Sequence, residues 1–428
     1  MELSPLLLLL PLLLVGFFYL SKARAAGRNT RRLPPSPPGL PLIGNLHQVG
    51  ALAAAHGAPD LLRLRLGQVP TLVASSPAAA AALMREHDGA FATRPYFRTA
   101  EILTYGFQDL VFAPYGEHWR RVLSAARSRG YDGMREREVA ALVRTIRERA
   151  ASSPAGVVDV SKALYGFANG VICRAVSGTG RLSREEGGAE ERAVPRADRG
   201  EHGAAGRVLR GDGNGGEEEE DFVDVLLALQ AEKQDDGFEL TRDAIKSLLA
   251  DMFAAGTEMS FIALEWAMSE LVRNPAAMQE LQREVRRAAP ADSAAGATAT
   301  PYRRAVVKET LRLHPPVPLL LPRECMRDAA VLGFHVARGT RVFVNAWAVG
   351  ATRRRGAPRP TSSGPRGMQF GLATLELALA SLARLFDWEV PGGAAPGELD
   401  MSDAPGLTTP RRVPLRLVAE PFGSEEQA

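Results

Sequence analysis

Apolar side chains run almost unbroken from residue 3 to residue 20, with Ser4 the one polar interruption. A run of about 18 such residues is just long enough to cross a bilayer as a helix. Glu2 precedes it, and Lys22, Arg24, Arg28, Arg31 and Arg32 follow it. That asymmetry predicts a retained signal-anchor over 1–22 with the bulk of the chain on the cytoplasmic side, and Ala23-Arg24-Ala25 is the weak case for cleavage. Pro34-Pro35-Ser36-Pro37-Pro38-Gly39 then favours a stiff polyproline spacer, so 23–45 reads as a basic, proline-rich hinge.

Beyond the hinge the periodicity changes. Residues 62–66 alternate Leu and Arg, and 71–74 resume after a Gly67/Pro70 turn, which predicts a β-hairpin. Ser76-Pro77 has the N-cap and N1 chemistry of a helix running to Arg85 or Glu86. A surface helix is predicted over 136–150, and a longer one over 241–273, N-capped by Thr241 and stopped by Asn274-Pro275. Ile245, Leu248, Leu249, Met252 and Phe253 mark its apolar face. Further helices are predicted over 304–313 and 368–386, a strand over 340–346, and a shorter strand near 331–336. Residues 183–221 carry almost no large apolar side chain and end in Glu217-Glu218-Glu219-Glu220-Asp221, which predicts a disordered, solvated segment.

The chain has 428 residues, 46% apolar and 24% charged, enough for a large core. A net charge of +3 leaves no footprint for nucleic acid. Cys173 and Cys325 are the only cysteines, which excludes a disulfide framework and a paired-cysteine zinc site, and no metal ligand set is read.

Three places could carry chemistry. Ala255-Gly256-Thr257-Glu258 sets a hydroxyl and a carboxylate beside bare backbone in the middle of the longest helix, and an interior glycine there predicts close approach of some other body. Glu309 and Arg312 are three apart on one helix and can meet on one face. Trp119, flanked by Arg120 and Arg121, could hold an anion or could be a core tryptophan.

Taken in order, these pieces resemble the haem-thiolate monooxygenases called P-450 cytochromes, in their plant microsomal branch. The matching stretches are PPSPPGLPLIGN (34–45), FATRP (91–95), FAPYGEHWR (112–120), DMFAAGTE (251–258), VKETLRLHPP (307–316), PREC (322–325), GTRVFVNAWA (339–348) and residues 367–393. The resemblance implies a mainly α fold with small β-sheets, preceded by one N-terminal transmembrane helix and filling 46–428. It implies haem between the long helix and a C-terminal helix, and electrons from NADPH through a flavoprotein reductase. It implies a small apolar, secondary-metabolite substrate and a single-pass place in the endoplasmic reticulum membrane. Ala255, Gly256, Thr257 and Glu258 would line the oxygen pocket, Trp119 and Arg323 would face the haem propionates, and Glu309 and Arg312 would be the buried Glu-x-x-Arg pair.

The family's cysteine loop precedes the helix that begins near Gly367, and there this chain reads Ser363-Gly364-Pro365-Arg366-Gly367 without a cysteine. Thiolate donation to iron favours O–O cleavage, and neither proline nor arginine supplies it. Met259 stands at the family's proton-delivering threonine, and Leu123 at a basic position. The loop over 351–366 therefore reads as damaged. Two readings follow: an oxygenase whose true product carries the missing loop, or an inactive membrane-anchored relative acting as a scaffold or arising from a truncated or misread gene.

Overall fold

Ser76 begins the first helix as its sequence demands: its hydroxyl accepts from Ala79 N at 3.2 Å, and Pro77 takes the N1 position where no N–H is needed. The computed structural model describes residues 32–37, 60–125, 132–177, 222–231, 240–287, 300–351 and 366–423. The anchor over 1–22, most of the hinge, the charged segment 183–221 and residues 352–365 lie outside them. The chain divides into two compact units, one of residues 1–95 and 319–357, the other of residues 96–318 and 358–428.

In the first unit, strands Leu61–Leu66 and Val69–Ala74 form the expected hairpin, with Leu61 opposite Ala74. Strand Arg341–Val344 adds to it in parallel, and Arg323–Glu324 closes the four-stranded sheet. Alternation buries Leu72 and Ala74, which pack with Leu61, Leu83, Phe91, Val331 and Val342. Helix Pro77–Ala81 widens into a π turn over Ala82–Glu86, closed by His87 N on Ala82 O at 2.9 Å. The single strand expected over 331–336 is instead a hairpin of Ala329–Val331 and Phe334–Val336. Leu332 and Gly333 both take positive φ and reverse the chain within two residues. Two backbone bonds, Arg63 N to Pro35 O at 2.8 Å and His335 N to Arg32 O at 2.7 Å, hold the described part of the hinge on this unit.

The second unit is a helical body. Helices Asp132–Ser152, Val160–Ser177, Arg242–Arg273 and Arg366–Leu385 surround one core containing Ile146, Leu164, Leu264, Met268, Leu379 and Leu382. Full burial of each such side chain contributes about 1.5–3 kcal/mol. Helices Pro275–Arg287 and Pro301–Leu313 pack on it, and a three-stranded sheet flanks it with Arg416–Pro421 in the centre between Val157–Asp159 and Phe386–Glu389. Arg242–Arg273 is the long helix, capped by Thr241, whose hydroxyl accepts from Ala244 N at 3.1 Å. Its two ends are buried separately. Ile245 and Leu248 join Val122, Phe222 and Leu226, whereas Ala263, Leu264, Ala267, Met268, Leu271 and Val272 enter the main core. Between them Ala254 and Ala255 are exposed.

Candidate functional site

The middle of the long helix carries its smallest side chains where it is least covered, and each neighbour of Gly256 has a different fate. The body that approaches Gly256 is a protein helix: a Cβ there would stand 2.4 Å from Ile172 Cδ1 of Val160–Ser177. The glycine thus permits helix contact, and the exposed backbone is on the Ala254/Ala255 side. Thr257 is 4% exposed, and its hydroxyl has no hydrogen-bond partner among the described residues. Glu258 Oε1 accepts from Thr408 Oγ1 at 2.7 Å, a partner that spacing within one helix could not announce.

Trp119 sits on helix Glu117–Ala125, half-buried, and spends its indole N–H on Leu110 O at 3.0 Å. Leu110 is itself held by the long helix: Asp251 Oδ2 accepts from Leu110 N at 2.8 Å and Val111 N at 3.1 Å. Beside it Asp109, 0% exposed, accepts from Phe112 N at 2.6 Å. Burial raises the pKa of both carboxyls, and Asp251, raised further by the Asp109 charge, reaches about 6. Sequence reasoning missed this pair. The signal was a lone acid inside each of two apolar stretches, Asp109-Leu110-Val111-Phe112 and Leu248 to Phe253.

Arg323, in the other unit, donates to Asp88 Oδ1 at 3.0 Å and Phe91 O at 3.1 Å. Neighbouring Arg94 donates to Leu321 O and Pro322 O at 3.3 and 3.2 Å. The two residues expected at the propionates thus both have protein acceptors.

Glu309 and Arg312 do pair, through two bonds of 2.8 and 2.5 Å. The pair faces outward, with the Glu309 side chain 56% exposed, so the expectation of burial is corrected. Helical spacing brings them together but turns them away from the core, which takes Val307 and Thr310 from the same helix. An exposed pair of this kind contributes a few tenths of a kcal/mol. The buried cation of that helix is Arg303, 3.8 Å from Glu376 of Arg366–Leu385.

Both cysteines are enclosed. Cys325 is 0% exposed in the core of the small sheet and donates its S–H to Arg327 O at 2.9 Å, and burial pushes its thiol pKa up. Cys173 is 4% exposed within helix Val160–Ser177. Among the described residues, no group of three or more His, Cys, Asp or Glu side chains is placed to hold a metal ion.

Against known proteins, the family model "Cytochrome P450" matches residues 34–191 and 208–353. The chain is 36% identical to indole-2-monooxygenase of Zea mays, covering 97% of this chain and 94% of that protein. It is 34% identical to (+)-menthofuran synthase of Mentha piperita, covering 96% and 97%. A zebrafish cytochrome P450 solved with abiraterone superposes with a TM-score of 0.69 at 21% identity, over 87% of this chain and 98% of that one. The chain belongs to the cytochrome P450 family of haem-dependent monooxygenases and resembles its plant members, whose curated relatives include enzymes of secondary metabolism. The fold is that of the family, mainly helical with small sheets.

Proposed function

We propose that this chain is a membrane-anchored plant P450 relative that, as its sequence stands, does not insert oxygen. The observation that carries the reading is the state of its two cysteines. Cys325 is a protonated packing thiol bonded to a carbonyl, and Cys173 is enclosed in helix packing, so neither offers an open thiolate to an iron. When bound, haem supplies the oxygen activation on which the family's chemistry depends. The donors of this chain do not fit that group. No cysteine stands at the loop before Gly367, and Trp119 and Arg323 already donate to protein oxygens.

Two further facts support the reading. The family match ends at residue 353, ahead of the stretch in which the thiolate loop is expected. The alignment with the maize enzyme runs over 527 residues, longer than the 428-residue chain, so it contains positions with no counterpart here. In the proposed arrangement, residues 1–22 anchor the chain in the endoplasmic reticulum membrane and 23–45 form the hinge. Residues 46–428 lie on the cytoplasmic side, where a flavoprotein reductase and a small apolar ligand are the partner classes of the family.

The test is spectroscopic. The full chain, expressed with haem supply, reduced and exposed to carbon monoxide, should give no thiolate-type Soret band, and such a band would overturn the reading. Sequencing the transcript across codons 351–366 should find no cysteine codon. Finding one would return the gene product to the working oxygenases.

A further inference from the structure

Two acidic side chains converge on one short loop, and among the described residues no base acts on either carboxyl. Asp109 Oδ2 accepts from Phe112 N, while its Oδ1 is buried with no hydrogen-bond partner among the described residues. From the long helix, Asp251 takes the two preceding amides, those of Leu110 and Val111. The peptide between Leu110 and its neighbours is thus gripped twice, by Asp251 through N–H and by the Trp119 indole through C=O. We propose that Asp109 and Asp251 form a proton-operated latch: with one proton retained on Asp251 the two hold residues 108–113 on the long helix, and losing it they release that loop and with it the Trp119 indole. This stands whether or not the chain binds haem.

The chemistry is that of two carboxyls in one desolvated place. Both cannot ionise there without repulsion, so one proton is retained well above the ordinary carboxylate range. Burial and the Asp109 charge bring Asp251 to about 6. Charged groups on the described surrounding elements are paired elsewhere or face solvent. Lys246 pairs with Asp243, Arg121 with Glu117, and Arg174 with Glu138, while Asp224 and Lys162 are exposed. Arg120 lies over the Tyr115 ring. None of these groups is among the causes acting on either carboxyl. His118 lies half-buried on helix Glu117–Ala125.

The sign follows from linkage. The latched loop binds the proton more tightly than the released one, so latching is strongest in acid and weakens as pH rises through about 6. Amide hydrogen exchange of residues 108–113 in the full-length protein, corrected for intrinsic pH dependence, reads this directly. With the released carboxyl at its ordinary value, protection should fall about tenfold between pH 5 and pH 7. Asp251→Asn keeps an oxygen for the two amides but cannot ionise, so its protection should be flat over that range, while Asp109→Asn, which leaves burial to act on Asp251, should show a smaller step at lower pH. His118→Gln should retain the step. A flat wild-type profile overturns the latch, and so does a step that persists in Asp251→Asn, is undiminished in Asp109→Asn or disappears in His118→Gln. If neither Asn variant folds, the wild-type profile decides alone.

Discussion

At the scale of single residues, Gly256 sets the distance between two helices. Exchanging glycine for alanine inside a helix ordinarily gains about 1 kcal/mol. Here the new methyl would meet Ile172 Cδ1 at 2.4 Å and Cγ1 at 2.9 Å, and Ile172, 4% exposed, has little room to swing away. Overpacking of this kind costs about 1–3 kcal/mol, so Gly256→Ala should be net destabilising in urea titration of the full chain. Combining it with Ile172→Ala should give a variant more stable than the two single effects summed, because the methyl then fills space the isoleucine vacates. Unchanged or increased stability of Gly256→Ala alone would show that the helices are free to separate. An interior glycine was legible in the sequence as a point of close approach. What approaches was not, since spacing along one helix says nothing about a residue on another. The same limit hid the aspartate latch, whose bond from Leu110 to Asp251 joins positions 141 apart in the chain.

Among the elements, the C-terminal half of the long helix is tied to two others through one carboxylate. Glu265, 2% exposed, accepts from the Ser161 hydroxyl at the start of Val160–Ser177 and from Arg411 N at 3.3 Å. Ser161 Oγ in turn accepts from Leu415 N at 2.7 Å, and the Arg411 guanidinium donates to Ser269 at 2.9 Å. Next to this knot Trp266 stacks on His314 at 4.0 Å and donates to Thr409 O at 2.9 Å. Glu265→Ala would leave the buried Ser161 hydroxyl and the Arg411 backbone N–H without their acceptor. Leaving a buried donor unsatisfied costs about 1–3 kcal/mol. The thermal midpoint should fall accordingly, with Glu265→Gln, which keeps an acceptor for Ser161, falling less. Equal loss in both variants would mean that Arg411, not Ser161, carries the tie. Such knots explain which elements the sequence announced. The long helix was legible because Thr241 caps it and Asn274 ends it. Helix Val160–Ser177 was not, because it buries residues on most of its circumference, from Val160 and Leu164 to Val171 and Val176, and leaves no polar stripe for a period of 3.6 to reveal.

For the molecule as a whole, the question is whether the fold needs the cofactor that its family uses. Joint motifs made the family legible even though each alone is weak, and the match over 34–191 and 208–353 takes in all of those blocks except 367–393. The outcome at the site was less legible, because sequence shows which donors exist but not which oxygens they already serve. Here Trp119 serves Leu110, Arg323 serves Asp88 and Phe91, and Cys325 serves Arg327. A ligand that binds only the native state at a hundred times its Kd adds about 2.7 kcal/mol of stability, which moves a melting midpoint by several degrees in a domain of this size. On the proposed reading there is no such contribution to lose. Full-length protein produced with and without a haem precursor should therefore melt at the same temperature, with the same protection of the core helices against hydrogen exchange. A midpoint several degrees higher with haem supply would mean that Trp119 or Arg323 exchanges its protein partner for a haem carboxylate. That gain without a thiolate band would separate haem capture from oxygen chemistry, since propionate contacts can hold the group while the iron lacks the ligand that drives O–O cleavage.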